Sequence, residues 1–317
     1  MRSVEEYADV DRPEPERLLS QNKKALDAMI ERGDFRPLPQ HCLLVYRLST
    51  RTHCQTGVVC EIPVDEYESG AIKKHEHTQK NKEEDLVSYQ KLVRASSSPI
   101  SLAYAPNLGL NSCIAEVTTE LPTIDFVTDD ETRQQIWCVD DTTTITKITN
   151  HFRSIKISYL TDGHHRAAAS VRFRDIERKS NHFHSGCEPY NRFLAALFPT
   201  NELQILEYNR CFQGGIALNK DQFLVALRER FSTEFLGEWG ARGVKPRIRG
   251  EFGLFLDGEW YRMIIKPELV PTHDPVSSLD VSLLQDQVLA PLLGVREPRT
   301  DSRLSYLSGA FSLTRFE

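Results

Sequence analysis

The sequence predicts a mixed α/β (α+β) protein. Three observations predict it: a strand that runs directly into a helix within residues 155–171, a succession of strand and helix signals on either side, and 40% hydrophobic content over 317 residues. A chain of that length can bury one large core or two of ordinary size. At the centre, Ile155, Ile157 and Tyr159 alternate with polar neighbours as in a half-buried strand, and Ala167-Ala168-Ala169 open a good helix former. Asp162 to His165 is then the turn between strand and helix.

From the N-terminus, Leu18, Leu19, Ala25, Leu26, Met29 and Ile30 recur at helical spacing, and Gly33 supplies a stop. Residues 41–48 and 57–64 read as two strands joined by a polar turn. Residues 67–85 are dense in charge of both signs, for which a solvated helix face is the ordinary reading. An amphipathic helix follows over 86–93, ended by the serines at 96–98 and Pro99. Short strands are expected at 100–104 and 112–117, irregular chain at 122–130, and another strand at 134–139. Asp140-Asp141-Thr142 offers caps for a helix carrying Ile145, Ile148 and Phe152.

Beyond the central helix, residues 178–189 are polar and histidine-rich and read as a surface loop, with strands at 190–198 and 203–210. Gly214-Gly215 marks a compositional break. The division drawn there makes residues 1–215 an α/β core and 216–317 a smaller C-terminal α+β portion and tail. In the second part Phe223, Leu224, Leu227 and Phe231 define one helix face, Asp257-Gly258 turns a hairpin within 251–265, and 279–293 is a last amphipathic helix ended near Gly294. In the tail, residues 306–309 have the composition of a packed segment.

A net charge of −6 argues against a protein whose main business is coating nucleic acid, though a local basic patch for a small anion remains compatible with it. No apolar run approaches the roughly 18 residues of a membrane span, and the first residues, Met1-Arg2-Ser3-Val4-Glu5-Glu6, lack a signal-peptide core. Seven cysteines, an odd number with no C-x-x-C pair, favour free thiols in a reducing compartment. The expectation is a soluble, cytoplasmic protein with no membrane partner and no nucleic-acid partner.

Two charged motifs carry chemistry. In Asp162-Gly163-His164-His165-Arg166, the first amides of the following helix lack acceptors, and the helix dipole favours an anion by roughly 0.3–1 kcal/mol. Gly163 lets backbone approach a ligand, and His164, His165 and Arg166 can donate to phosphate oxygens. The competing reading makes Asp162 an ordinary N-cap beside two exposed histidines. In Lys73-Lys74-His75-Glu76-His77-Thr78, the functional reading makes Glu76 an acid/base or metal-binding carboxylate and Lys73, Lys74 or His75 the anion contacts. A four-histidine metal site of His75, His77, His164 and His165 is disfavoured because adjacent histidines rarely aim at one ion, and His182-x-His184 has no matching carboxylate or thiol cluster.

These stretches recur together in a known pattern. Ala71-Ile72-Lys73-Lys74-His75-Glu76-His77-Thr78, Tyr159-Leu160-Thr161-Asp162-Gly163-His164-His165-Arg166, Tyr190-Asn191-Arg192-Phe193-Leu194-Ala195-Ala196-Leu197-Phe198-Pro199 and Ser278-Leu279-Asp280-Val281-Ser282-Leu283-Leu284-Gln285 resemble, in order and spacing, the DUF-1015 family. That family shares the ParB/sulfiredoxin-like fold and is related to free serine kinases. The resemblance implies a nucleotide-binding core in which Gly163, His164, His165 and Arg166, with Lys74, His75 and Thr78, hold ATP or ADP. It implies Asp162 as a catalytic residue beside the substrate and a small hydroxylated metabolite such as L-serine as acceptor; Glu76 is the candidate for the second, Mg²⁺-binding catalytic carboxylate, and His165 with Arg166 would stabilise the transferring phosphoryl group.

The alternative it leaves is a non-catalytic ParB-like nucleotide-binding regulatory module. Sulfiredoxin-like reduction needs a cysteine in the phosphate turn, where this chain has histidines. The chain departs from the family pattern at Ala167, where an aromatic residue is common, at Leu86, where a basic one is, and at Asn209, where histidine is. It also begins later than the pattern does, which would shorten one wall of the pocket.

Overall fold

In a computed structural model of the protein, residues 15–38, 41–96, 98–215, 218–238, 245–298 and 300–309 are described. The chain divides into two units, Met1–Gln204 and Ile205–Glu317. The division falls earlier than Gly214-Gly215 because the strand after residue 205 pairs with the C-terminal tail.

The first unit runs α1 (Pro15–Glu31), β1 (Leu43–Ser49), β2 (Cys54–Pro63), α2 (Asp65–Glu68), β3 (Ile72–Lys73), α3 (Lys80–Val93) and β4 (Ile100–Tyr104). It continues with α4 (Leu108–Val117), β5 (Ile124–Val127), β6 (Arg133–Val139), α5 (Thr142–Ser154), β7 (Ser158–Asp162), α6 (His164–Ser180) and β8 (Arg192–Pro199). The eight strands form one mixed sheet in the order β3-β7-β4-β8-β2-β1-β6-β5. β3 is parallel to β7 and β4 to β8, while the other neighbours are antiparallel.

The core lies between sheet and helices. Val45, Val58, Leu102, Tyr104, Leu110, Ile148 and Ala167 are fully buried in it. Each large aliphatic side chain so buried stabilises the unit by about 1.5–3 kcal/mol relative to exposure. Asp141 caps α5 by accepting from the Thr144 amide at 2.7 Å, and Ile148 is the buried anchor of that helix, as the sequence indicates.

Four sequence expectations for this unit are corrected. Residues 112–117 are helical: Asn107 accepts from the Leu110 amide at 3.0 Å as an N-cap, and Leu110, Cys113 and Ile114 share one buried face at helical spacing. Residues 124–127 form the edge strand β5, exposed at all four positions. The charged run is not one helix but α2, the two-residue β3, a loop, and then α3 from Lys80.

The central strand begins only at Ser158 and turns its other face inward: Leu160 is buried and Tyr159 is 50% exposed. Ile155 belongs to the end of α5, packed against the core.

The second unit comprises β9 (Tyr208–Phe212), α7 (Lys220–Arg228), β10 (Phe231–Glu238), β11 (Glu251–Leu256), β12 (Glu259–Ile265) and β13 (Leu304–Ser308). Strand β9 therefore starts later than the 203–210 expected. β10, β12 and β11 form an antiparallel sheet, and β9 pairs with β13.

Asp257 and Gly258 both have positive φ, 47° and 80°, which a two-residue hairpin turn of the primed type demands. Asn219 and Gln222 form a capping box on α7, whose Phe223 and Leu227 pack with Phe252, Tyr261 and Met263. Phe231, expected on the helix, opens β10. The last helix is Asp280–Leu284 and Ala290–Leu293 joined by a π turn over Gln285–Leu289, and it stops at Gly294. Among the described residues no helix is long and apolar enough to cross a membrane.

Candidate functional site

Three neighbouring strand ends create the site. Because β3 and β7 are parallel, with Ile72 level with Ser158 and Lys73 with Tyr159, the residues that follow both strands leave the sheet at the same end. β4, antiparallel to β7, starts there. Clefts outside the carboxyl ends of parallel strands are where open α/β sheets bind ligands.

The turn is tighter than the sequence suggests. Gly163 alone is the N-cap, in the left-handed region at φ 94°, and His164 is already helical. Asp162 is thus not the cap, and among the described residues no side chain caps the first amides of α6, which remain available to an anion. Arg166 folds back from the first turn of the helix and donates to the Asp162 carboxylate. A Cβ on Gly163 would lie 2.9–3.2 Å from the Arg166 guanidinium, so the glycine also makes room for that arginine. Asp162 nevertheless stays 76% exposed.

The two histidines separate. His164, only 4% exposed, turns inward, with Nδ1 3.8 Å from Glu76 Oε2 and its ring edge-on to His75 at 4.3 Å between centroids. Burial depresses its pKa, His75 adds to the depression, and the carboxylates of Glu76 and Asp162 oppose it. The shift favours the neutral imidazole, and among the described residues its buried Nε2 has no hydrogen-bond partner.

His165 instead accepts from the Gln79 amide through Nε2 at 3.1 Å. That bond fixes its proton on Nδ1 and ties the start of α3 to α6. Neither histidine is the freely exposed ring of the alternative sequence reading. The arrangement brings Glu76, His75, His164, Asp162 and Arg166 to one end of the sheet, with His165 bracing it.

The sequence model of the family described as a protein of unknown function, DUF1015, matches residues 4–282. The chain belongs to the DUF1015 family. No curated protein and no solved structure matches it.

In this DUF1015 protein the remaining site candidates are distributed unevenly. Lys74 lies with Nζ 3.6 Å from the centroid of the buried Tyr67 ring, a cation–π contact that holds it on the α2 side. Thr78 is half-buried between Glu76 and α3, and His77 is exposed. Among the described residues no three His, Cys, Asp or Glu side chains converge as a metal site, so the four-histidine arrangement is not formed. Magnesium bound through phosphates needs only one or two carboxylates, and Asp162 and Glu76 fit that donor set.

His184 faces Tyr190 and Glu188. Its Nδ1 is 2.9 Å from the Tyr190 hydroxyl and 3.2 Å from Glu188, inside a loop where the Ser185 and Gly186 amides and the Ser185 hydroxyl donate to Glu188. The Ser185 amide leads in holding the Glu188 carboxyl down at about 2.

Sequence reasoning missed Ser101 and Thr161, whose hydroxyls meet at 2.7 Å beside Asp162, and Gln79 and Tyr67. For Ser101 the signal was present, as a polar residue inside the apolar strand Ile100-Ser101-Leu102.

Proposed function

We propose that this DUF1015 protein is a nucleotide-dependent kinase of a small hydroxylated metabolite, built on a ParB/sulfiredoxin-like core, with free L-serine as the first acceptor to test. The observation that carries the reading is the uncapped N-terminus of α6 at Gly163, with Arg166 and Asp162 folded across it. Backbone amides and a guanidinium in that arrangement suit phosphate oxygens.

The acceptor's hydroxyl oxygen attacks the terminal phosphorus of ATP or ADP. A new P–O bond forms as the bond to the bridging oxygen breaks, and the nucleotide leaves one phosphate shorter. Asp162 takes the hydroxyl proton. Arg166 exchanges its carboxylate partner for phosphate oxygens and stabilises the transferring group. Glu76, beside the neutral His164, is the second carboxylate of the site. Glu76 would hold Mg²⁺, which when bound would supply neutralisation of phosphate charge. The free thiols support a cytoplasmic setting.

A second reading, nucleotide binding without turnover, is favoured by the ion pair that already occupies Asp162. Mass spectrometry separates the two. Protein incubated with Mg²⁺, L-serine and, separately, ATP, ADP or CTP is expected to yield O-phosphoserine with one donor, and Asp162→Asn to lose about 10²–10⁴-fold in rate. Nucleotide binding that depends on Arg166 without any product would leave the regulatory-module reading. Absence of binding would remove both.

A further inference from the structure

Strands β4 and β7 do not pair evenly. Leu102 lies opposite Leu160, but Ser101 lies opposite Asp162, so Thr161 is an extra residue on β7 and the ladder bulges there. A bulge sets two residues of one strand against one of its neighbour and re-aims side chains, and such irregularities concentrate beside functional sites. Here it sets Thr161 and Asp162 together against Ser101, and the Thr161 hydroxyl donates to Ser101 Oγ at 2.7 Å.

Thr161 is exposed and Ser101 half-buried. Since Thr161 spends its proton on Ser101, the Ser101 hydroxyl has its own proton free to donate, and Thr161 has lone pairs free to accept. One donor, one acceptor and one carboxylate therefore stand together at the end of β7.

We infer that the Ser101–Thr161 hydroxyl pair is the acceptor-binding element of the site, seating a small molecule that carries a second polar group next to its reacting hydroxyl. The inference rests on the phosphotransfer reading and names its acceptor class: a β-hydroxy amino acid or a vicinal diol rather than a simple alcohol. Asp162 meets the reacting hydroxyl, Ser101 donates to the neighbouring polar group, and Thr161 accepts from it. Ser101 and Thr161 are positioning residues, remote in role from the phosphate groups at Gly163 and Arg166.

The test is calorimetric titration of L-serine, and of 1-propanol for comparison, into the full chain saturated with a non-hydrolysable ATP analogue and Mg²⁺. Wild type, Ser101→Ala, Thr161→Val and Thr161→Ser are compared, with thermal melts to verify folding. The pair predicts that L-serine binds and 1-propanol does not. It predicts about 3- to 10-fold weaker serine binding in Ser101→Ala and Thr161→Val, recovery in Thr161→Ser, and nucleotide affinity unchanged throughout.

Serine binding that ignores both substitutions, or nucleotide binding with no serine binding, overturns the inference while leaving nucleotide binding intact. Serine binding with the predicted variant pattern but no nucleotide binding sustains the hydroxyl pair as a subsite and removes the kinase reading. If neither ligand binds, both fall.

Discussion

Two arginines on α6 are used in opposite ways. Arg174, 5% exposed, donates to Asp65, Glu68 and Asp175 at 2.6–2.9 Å and so ties the middle of the helix to α2. Arg166, in the first turn, has one carboxylate partner, the largely exposed Asp162, in the same turn where the amides lack a cap. One guanidinium is saturated by three carboxylates and serves the fold. The other can change partners when an anion with more oxygens arrives. Identical side chains on one helix are thus sorted into scaffold and site by the number and burial of their partners.

The largest effect on stability is expected from Arg174→Met. Its loss should lower unfolding free energy by about 2 kcal/mol in urea titrations, less than for a fully buried pair because its carboxylates reach solvent, and leave ligand binding unaltered. Arg166→Ala should do the reverse, weakening nucleotide binding by about 10-fold or more with stability within about 0.5 kcal/mol of wild type. Gly163→Ala sharpens the contrast from the backbone side. A side chain at φ 94° costs about 1–2 kcal/mol, and its Cβ displaces the Arg166 guanidinium, so both a lower melting temperature and weaker nucleotide binding are expected.

The smallest effect concerns His164. Its pKa is depressed in the folded protein, so the unfolded chain binds the proton more readily, and stability falls as pH drops below the ordinary histidine range near 6.5. Denaturant titrations at pH 7.5 and 5.5 should show that loss, and His164→Asn should flatten it.

Local signals carried much of the fold. Asp141 before Ile145 and Ile148, and Asp257-Gly258 between alternating strands, state a capped helix and a hairpin in a few residues each. Helix α4 was misread because its cap, Asn107, lies upstream of the segment that looked like a strand. The inner face of the central strand differs from the expected one because the alternation of Ile155, Ile157 and Tyr159 runs across the end of α5, whereas the strand proper begins at Ser158 and buries Leu160.

In the site, the motif from Asp162 to Arg166 was legible, but the roles within it were not. His165 meets a partner 86 positions away at Gln79, His164 finds its environment in His75 and Glu76, and Lys74 settles on Tyr67. The bulge that sets Thr161 beside Ser101 is a property of strand register, which no single stretch of sequence states.

The most direct measurement is calorimetric titration of ATP and of ADP, with Mg²⁺, into wild type, Arg166→Ala and Arg174→Met. The account predicts that at least one nucleotide binds wild type and Arg174→Met alike, is displaced by pyrophosphate, and binds Arg166→Ala about 10-fold or more weakly. No nucleotide binding by the wild-type protein, or binding indifferent to Arg166, would contradict the assignment of the α6 N-terminus as a phosphate site.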